Sequence, residues 1–584
     1  MTEEATTTIE PERLACGVTV ERDVPSAMRD GVVLRADVYR PENPGAYPVL
    51  VLRTPYDKRV AQQITYQHPT WYARRGYVVV VQDPRGRFTS DGDFRPFQDE
   101  PEDTADTIAW AARLPGANGK VATYGFSYPG ANQLLGASEQ PEPLVCIAPG
   151  FTSSDFYDGW TYVGGAFSLA FVVSWVQPLL ALPEALKRGD LPAAIALASQ
   201  ANSFPDLYWT QPLEAFPLFQ DNDVAPYFFE WLEHDARDEY WKALSIRERW
   251  DRIVVPALHF GGWYDSFVEG TLENYAALAA RAGDDPSRLQ RLVLGPWLHI
   301  PWAQYAGVRN FGDDARNRID ELQLAWFDYW LKGEGDIDAW APVQLFTMGE
   351  NVWRDHDSWP PPGIQLEEWH LRSSGRATSV SGDGALTREL PADDPPDVYA
   401  FNPGWPVSSL GGRSCCVDEV APMGPLEQSR VEIRNDVLVY STPVLERDIE
   451  VTGTVELVLF AATDAVDTDW TAKLVDVDER GYAINLCDGI VRARYRESLE
   501  HPTPIERNRV YEYRIKVGST SNLFRRGHRI RLEVSSSNFP MFDINPNNGQ
   551  RSGEATLLQA RVATQAVFHD SMRPSRLLLP VRPR

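Results

Sequence analysis

A serine between glycines, directly behind a strand-like run, constrains this chain more than any other stretch. Lys120–Tyr124 has the pattern of a strand, and it is followed by Gly125–Gly130 with the sequence Gly-Phe-Ser-Tyr-Pro-Gly. This is the arrangement of a nucleophile elbow, a turn so sharp that side chains near the serine must be small. Strain in such a turn holds the hydroxyl of Ser127 out of the sheet, where a base and a substrate can reach it.

One position departs from the common G-x-S-x-G pattern, because Pro129 takes the fifth place and the glycine follows one residue later. Proline is compatible with the first turn of a helix, since its missing N–H has no partner there in any case. A serine between glycines also occurs in ordinary turns. The hexapeptide alone therefore leaves both interpretations open.

Strands and helices alternate around this turn. Pro48–Leu52 and Tyr77–Val81 are continuous apolar runs, as expected for parallel strands that helices cover on both faces. Asp103–Leu114 has a helical pattern instead. Strand character returns at Ile253–Phe260 and at Arg291–Leu294. This alternation predicts an α/β domain with a doubly wound, mostly parallel sheet.

Two further regions have a different character. From about residue 153 to 242 the chain shows no convincing strands, but aromatic-, alanine- and leucine-rich segments that indicate a helical insertion. After the breaker-rich Trp359–Gly363 the period becomes two, for example in Tyr511–Val517 and Arg529–Val534, which is typical of half-buried antiparallel strands in a sandwich or jelly roll. The predicted units are an α/β domain in two parts (1–152 and 243–358), a helical cap (153–242) and a jelly-roll domain (359–584).

Composition excludes several classes of protein. The 584 residues are 43% hydrophobic and carry a formal net charge of −26, which makes nucleic acid or an anionic membrane surface an improbable partner. Met1–Ala5 is not a basic region followed by an apolar stretch, so we expect no signal peptide. The longest apolar run, Ala166–Val176, is about eleven residues long, too short to cross a bilayer of roughly 30 Å. We therefore expect a soluble, cytoplasmic protein.

The cysteines and acidic clusters give no sign of a metal or cofactor site. The five cysteines show no C-x-x-C pair and are expected to be reduced, mostly buried thiols: Cys16, Cys146, Cys415, Cys416 and Cys487. Asp464, Asp467 and Asp469 are expected to lie in a turn between strands rather than at a metal. We expect no metal and no cofactor.

A nucleophilic serine needs a base, and the base needs an orienting carboxylate. Of the nine histidines, His299 fits best by position, because it follows the last α/β strand, whereas His259 lies inside an apolar strand. Asp265 directly follows the preceding strand and is the candidate acid. An alternative is that Asp265 caps the helix that starts near Phe267, and Asp251 is the weaker candidate for the acid.

Acyl transfer also needs hydrogen-bond donors at the developing oxyanion. The backbone N–H of Tyr128, the residue after the nucleophile, is the first predicted donor. The second should come from the loop after Pro48–Leu52, which has no glycine-rich run but contains Tyr56. The Tyr56 hydroxyl is therefore a candidate donor, with simple packing as the alternative.

Five motifs together carry a resemblance over essentially the whole chain. The sequence resembles the cocaine esterase / X-Pro dipeptidyl-peptidase (CocE/NonD) family of serine hydrolases, whose elbow is itself G-x-S-Y-x-G. The matching segments are Arg53–Tyr56, Gln82–Arg87, Gly125–Gly130, Gly262–Asp265 and Gly295–His299, and the C-terminal domain is echoed by Lys473–Val477 and Ser537–Pro540.

The resemblance implies an α/β hydrolase with an inserted helical cap and a C-terminal β jelly roll. It implies that Tyr56 is an oxyanion-hole residue and that Ser127, Asp265 and His299 form the triad. It further implies that aromatics line the acyl pocket, at positions that order and spacing give as Trp160, Trp175 and Phe267, with packing in the cap as the alternative for each. The predicted reaction is hydrolysis of a carboxylic ester with a small aromatic acyl group, through an acyl-enzyme.

Two other functions stay open. A dipeptidyl-peptidase, or an α-amino-acid ester hydrolase or acylase, of the same family must bind a substrate ammonium, for which the cap offers Asp155, Asp158, Glu184 and Asp190. A carbohydrate-binding protein would use the jelly roll but would have no need of an ordered Ser–Asp–His set. The expected partner is a small-molecule ester, and the jelly roll's exposed face could mediate self-association into a homo-oligomer.

Overall fold

The computed structural model describes residues 11–583, except 61–64, 201–203, 222, 284 and 416–417. Met1–Ala5 and Cys416, on which two of the expectations above depend, lie outside the described residues. Eleven strands form the first sheet: β1 Glu12–Leu14, β2 Val18–Ala27, β3 Val33–Pro41, β4 Tyr47–Arg53, β5 Val78–Asp83, β6 Ala117–Phe126, β7 Leu144–Gly150, β8 Ala257–Tyr264, β9 Gln290–Leu298, β10 Val343–Thr347 and β11 Val352–His356.

The order of strands in this sheet is β1-β2-β3-β5-β4-β6-β7-β8-β9-β10-β11. All neighbours from β5 to β10 in that order pair in parallel. The strands at the two edges pair antiparallel. The predicted mostly parallel sheet is therefore confirmed, and the carboxyl ends of its central strands share one edge.

The central strands are apolar throughout because both faces of the sheet are covered. In β4, Val49 and Val51 pack into the core on one face, while Leu50 and Leu52 pack into the core on the other. All four side chains are at most 2% exposed. A strand buried on both faces has no polar face to alternate with, which explains the continuous apolar run.

Helices cover the sheet and form the insertion between β7 and β8. They are α1 Pro69–Ala73, α2 Glu100–Ala111, α3 Tyr128–Ala137, α4 Leu169–Trp175, α5 Leu182–Arg188, α6 Leu191–Gln200, α7 Phe204–Leu207, α8 Pro217–Gln220, α9 Pro226–Glu233, α10 Glu239–Leu244, α11 Val268–Ala282, α12 Ile319–Phe327 and α13 Ser429–Glu432. Two π-helical segments, Val176–Ala181 and Asp328–Lys332, extend α4 and α12.

The insertion differs from the sequence-based expectation in two ways. It contains a short antiparallel ribbon, Tyr162–Val163 with Ala166–Phe167, although no strands were expected there. The apolar run expected to end near Val176 continues through the π-helical segment, so that Leu169–Arg188 is a 20-residue helix. By length and composition it could cross a membrane, but 67% of its most apolar window is buried inside the protein. That burial is typical of a core helix.

Apart from the short helix α13, the C-terminal region consists mainly of β-strands, as predicted. Its strands are β12 Gln365–Arg372, β13 Ala385–Thr387, β14 Asp397–Phe401, β15 Leu438–Ser441, β16 Ile449–Thr463, β17 Asp469–Val477, β18 Ala483–Arg492, β19 Tyr511–Phe524, β20 Arg529–Ser535, β21 Ala563–Asp570, β22 Arg573–Pro574 and β23 Arg576–Arg582. They pair in the order β14-β21-β16-β23-β12-β13-β15-β20-β17-β18, with β19 on β16 and β22 on β21. The jelly-roll topology and the domain bounds at 152, 242 and 358 stay predictions.

One of the alternating strands is buried on both faces. In β19, Tyr513, Ile515 and Val517 are buried while their neighbours are exposed, as the alternation predicts. In β20, however, Arg531 and Glu533 are buried as well. Arg531 pairs with Glu432 at 2.6 Å, and Glu533 lies 3.7 Å from Lys473. Ion pairing therefore lets charged residues occupy a covered face.

The expectation of reduced cysteines holds only in part. Cys16, Cys146 and Cys487 are free thiols, of which only Cys16 is exposed. Cys415 is disulfide-bonded, so the expectation is wrong for this residue. Cys415 has a cysteine as its neighbour in the sequence, but the missing C-x-x-C pattern favoured free thiols.

Candidate active site

Ser127 lies in the sharp turn between β6 and α3. Its backbone has φ 64° and ψ −126°, a strained conformation for a residue other than glycine. A Cβ at Gly125 would lie 2.5 Å from the Cβ of Pro129, and one at Gly130 would lie 2.5 Å from the carbonyl oxygen of Gly150. The turn therefore has the geometry expected of a nucleophile elbow, and the two glycines are needed for close approach.

Asp265 and His299 follow adjacent parallel strands and meet as a buried pair. Asp265 comes after β8 and His299 after β9, and their side chains are 0% and 4% exposed. Nδ1 of His299 lies 2.7 Å from Oδ1 of Asp265. Phe267 is the N-cap of α11 and no side chain caps that end, so Asp265 is engaged by the histidine and not by the helix.

The two competing residues are placed elsewhere. Asp251 is exposed in the 3-10 segment Arg247–Arg252. His259 is buried in β8 with Nε2 3.0 Å from Gln290, and burial lowers its pKa to about 4. His259 is therefore a packed core residue, as expected.

Aromatic rings place His299 beside the elbow. The ring of Phe126, the residue before Ser127, lies 5.6 Å from the imidazole, and the ring of Phe267 lies 5.1 Å from it. Trp302 donates from Nε1 to the backbone oxygen of His299 at 2.9 Å. The imidazole is thereby held between the elbow and α11.

Tyr56 contacts the nucleophile. Its hydroxyl accepts a hydrogen bond of 3.0 Å from Nε1 of Trp175, and the side chain of Ser127 interacts with the same hydroxyl. Burial raises the pKa of Tyr56 to about 12, although both of these contacts act to lower it. The phenol is therefore protonated, and able to donate, at any pH near neutrality.

Tyr128 offers its amide and has an anchored side chain. As the first residue of α3, it has a backbone N–H without an intrahelical acceptor. Its hydroxyl donates to Glu100 at 2.9 Å and accepts from the amide of Phe97 at 3.2 Å. Glu100 in turn accepts from the buried guanidinium of Arg53. A buried network thus ties the elbow to the end of β4, three residues before Tyr56.

The predicted pocket residues form one aromatic cluster beside His299. Trp160 and Phe267 stack at 4.3 Å, and Trp160 meets Trp175 edge-on at 5.2 Å. Phe171 contacts all three rings at 5.3 to 5.7 Å. Trp160, Phe171 and Phe267 also line a cavity of about 40 Å³, together with Phe542 of the C-terminal domain.

A buried arginine joins the Tyr56 loop to the cap. Arg87 is 1% exposed and donates to the carbonyl oxygens of Pro55, Leu180 and Leu179, each at 3.0 Å. Burial lowers its pKa from the ordinary value. The segment after Trp175 and the loop before Tyr56 are therefore fastened to the same guanidinium.

Each acidic residue considered for ammonium binding already has a partner, although Oε2 of Glu184 is buried without one among the described residues. Asp155 is fully buried and accepts from Arg237 at 2.8 Å, Glu184 pairs with Arg188 at 2.7 Å, and Asp190 accepts from a backbone amide of α6. Asp158 lies 3.7 Å from Arg247. Asp467 and Asp469 likewise pair with arginines. In the part of the chain that the structure describes, no cluster of three or more potential metal ligands occurs.

Comparison with known proteins supports the resemblance to this family over nearly the whole chain. The X-Pro dipeptidyl-peptidase (S15 family) model matches residues 30–301, and the model of the X-Pro dipeptidyl-peptidase C-terminal non-catalytic domain matches residues 336–578. Cocaine esterase from Rhodococcus sp. (strain MB1 Bresler) is 38% identical over 575 residues, which cover 96% of this chain and 98% of that protein. The chain belongs to the cocaine esterase / X-Pro dipeptidyl-peptidase family.

Solved structures agree on the fold. A structure of α-amino acid ester hydrolase superimposes with a TM-score of 0.82 at 24% identity, and an aminopeptidase from a marine sediment archaeon (Thaumarchaeota archaeon) with a TM-score of 0.81 at 24% identity. Each covers 100% of both chains. As a member of the cocaine esterase family, the protein is an enzyme, a serine ester hydrolase with the α/β hydrolase fold.

Sequence reasoning missed two features of this family member's site. The network of Arg53, Glu100 and Tyr128 was not foreseen, although an arginine directly behind an apolar strand is a signal that its charge must be neutralised inside the protein. The hydrogen bond from Trp175 to Tyr56 had no signal, because the two residues belong to different units and meet only in the folded chain.

Proposed function

We propose that the protein hydrolyses carboxylic esters with a small aromatic acyl group, through an acyl-enzyme formed on Ser127. The observation that carries the proposal is the buried Asp265–His299 pair beside a strained serine whose hydroxyl contacts Tyr56. A nucleophile, a base with its orienting acid and an oxyanion donor in one place form the set that acyl transfer requires.

In the proposed mechanism His299 takes the proton of Ser127 on Nε2 as the serine oxygen attacks the ester carbonyl. Asp265 fixes the imidazole tautomer by accepting from Nδ1 and stabilises the imidazolium. The Tyr56 hydroxyl and the Tyr128 amide donate to the oxyanion. His299 then protonates the leaving alcohol, and water attacks the acyl-enzyme with the same imidazole as base.

The acyl preference is inferred from the aromatic cluster. Phe267 contacts the His299 ring, and Trp160 and Trp175 continue the cluster from Phe267 with rings that favour a flat, apolar group. A peptidase or amino-acid ester hydrolase needs a free carboxylate for the substrate ammonium. Asp155 and Glu184 are paired with arginines, which favours the esterase.

Location and partners belong to the same proposal. The formal net charge of −26 argues against nucleic acid or an anionic membrane as partner. We propose a cytoplasmic enzyme that needs no metal or cofactor for this chemistry, with self-association through the C-terminal β domain.

The test compares three chromogenic substrates: p-nitrophenyl benzoate, p-nitrophenyl butyrate and glycyl-prolyl-p-nitroanilide. We expect both esters to be turned over, the benzoate with the higher kcat/KM, and the anilide to be hydrolysed at least about 100-fold more slowly. A difference of one or two kcal/mol in the binding of two acyl groups is enough to change kcat/KM by about tenfold. Faster cleavage of the anilide than of either ester would overturn the esterase in favour of the peptidase.

A further inference from the structure

We propose that Trp175 is a positioning residue of the oxyanion site, which directs the hydroxyl proton of Tyr56 toward Ser127. This role is separate from that of Trp175 as a candidate residue of the acyl pocket. The inference rests on the proposed function and deepens it, since it assigns a residue that acts through Tyr56 on every ester and not on one acyl group.

The direction of the hydrogen bond carries the argument. An indole N–H is a donor only, so at 3.0 Å from Nε1 of Trp175 the oxygen of Tyr56 must be the acceptor. Trp175 thus occupies one lone pair of the Tyr56 oxygen, and the phenol proton is left to donate to another acceptor on the side of Ser127, whose side chain interacts with this hydroxyl. The oxyanion of an ester attacked by Ser127 develops in that direction.

Trp175 is held rigidly enough to impose this orientation. Its side chain is 2% exposed and stacks on Trp231 with an interplanar angle of 2° and on Phe171 with one of 9°. Arg87 fastens the chain on both sides of the hydrogen bond, through Pro55 and Leu180. The donor and the acceptor therefore keep their relative positions without help from a substrate.

A second tryptophan of the same cluster lacks this contact. Trp160 is 1% exposed and lies 5.2 Å from Trp175, but its Nε1 is buried with no hydrogen-bond partner among the described residues. The two side chains share ring chemistry, burial and neighbourhood, and differ in whether the N–H is used. Trp160 is therefore the matched control for Trp175.

Pre-orientation should be felt in turnover and not in binding. A donor already aimed at the oxyanion needs no reorganisation when charge develops, whereas a free phenol rotates among several orientations. Replacing the indole by a ring without N–H should lower kcat by about tenfold, the effect of losing one well-placed hydrogen bond. KM for p-nitrophenyl acetate, whose acyl group is too small to fill the aromatic pocket, should change by less than about threefold.

The experiment measures kcat and KM for p-nitrophenyl acetate and p-nitrophenyl benzoate in Trp175→Phe, Trp160→Phe, Tyr56→Phe and the double variant Trp175→Phe/Tyr56→Phe. For Trp175→Phe we expect the same tenfold loss of kcat on both esters. Trp160→Phe changes a ring of the acyl pocket without touching Tyr56, so it should act mainly through KM for the benzoate and lower kcat on the acetate by less than Trp175→Phe does. In the Tyr56→Phe background the change at Trp175 should cost nothing more, because its acceptor has gone.

Equal losses in Trp175→Phe and Trp160→Phe, a loss confined to KM for the benzoate, or a full tenfold loss in the Tyr56→Phe background would each overturn the proposal. If Trp175→Phe fails to fold, benzothienylalanine at position 175 keeps the shape of the bicyclic ring and lacks the N–H, and the same outcomes apply. Ester turnover that survives Ser127→Ala would instead defeat the proposed function, so the two failures are distinguishable.

Discussion

At the scale of single residues, the site depends on side chains that the fold shields from water. The phenol of Tyr56 has one donor, Trp175, and one contact with Ser127, and burial keeps its pKa near 12. The imidazole of His299 is enclosed by Phe126 and Phe267. Low dielectric surroundings strengthen each of these hydrogen bonds relative to water.

Removing the Tyr56 hydroxyl tests its role directly. We expect Tyr56→Phe to lower kcat by about 10²–10³, the usual cost of losing one oxyanion donor, while the protein stays folded. The measurement is steady-state hydrolysis of p-nitrophenyl butyrate. Tyr66→Phe is the control, because the Tyr66 hydroxyl is also buried but has no hydrogen-bond partner among the described residues. Equal rates in Tyr56→Phe and the wild type would remove Tyr56 from the site.

Single residues were predictable where chain order fixes their place. Asp265 and His299 directly follow parallel strands, and the carboxyl ends of such strands meet at one edge of the sheet. The contact of Trp175 with Tyr56 was not predictable, since it depends on how the cap lies on the sheet. The buried role of Glu100 was not predictable either, because an acidic residue at the start of a helix is equally well explained as a surface residue.

At the scale of elements, continuous apolar runs predicted the positions of the strands well, but the ends of the strands less accurately. The predicted strand Ile253–Phe260 begins only at Ala257, because Pro256 offers no N–H to a neighbouring strand. In β20 an alternating pattern suggested one exposed face, but Glu432 and Lys473 neutralise the buried charges there. An alternating pattern therefore predicts which residues are polar. Those residues are exposed only where no other part of the protein covers the polar face.

Arg87 provides a test at this scale, because it fastens the loop of Tyr56 to the cap. We expect Arg87→Lys to lose at least two of the three carbonyl contacts, which lowers both the melting temperature and kcat. Buried carbonyl groups left without donors cost about 1–3 kcal/mol each. Thermal unfolding and ester turnover are measured together, with Arg59→Lys as the control, since Arg59 is an exposed arginine of the same loop. An Arg87→Lys enzyme with the wild-type melting temperature and kcat would contradict the role of Arg87 in joining the Tyr56 loop to the cap.

At the scale of the whole molecule, Glu269 connects the catalytic domain to the C-terminal β domain. It lies in the first turn of α11, close behind Asp265, and is 22% exposed. It accepts from the amide of Ser519 at 2.6 Å and pairs with Arg413 at 2.8 Å and with Lys516 at 2.9 Å. The start of the helix beside the acid is thus anchored by the neighbouring domain.

This connection predicts how stability depends on pH. Burial alone would raise the pKa of Glu269, but Lys516 and Arg413 lower it from 4.5 to about 2. Because the folded pKa is the lower one, the stabilisation is complete above about pH 4.5 and is lost as the pH falls toward 2. A shift of this size corresponds to about 3 kcal/mol.

We therefore expect Glu269→Gln to lower the melting temperature at pH 7 and to flatten its decline between about pH 5 and 3. Differential scanning fluorimetry across this range measures both effects. Asp251→Asn, which removes an exposed carboxylate, should leave the wild-type curve unchanged. A Glu269→Gln curve parallel to that of the wild type would show that the contact contributes nothing to acid stability.

The most direct test of the central claim is covalent labelling of the nucleophile. The enzyme is treated with phenylmethylsulfonyl fluoride, which sulfonylates activated serines, and the adduct is located by peptide mass spectrometry while ester turnover is followed. We predict one adduct, on Ser127, with turnover lost in proportion to labelling, and neither label nor turnover in a folded Ser127→Ala variant. An adduct on another residue, or turnover that survives in Ser127→Ala, would contradict the assignment of Ser127, Asp265 and His299.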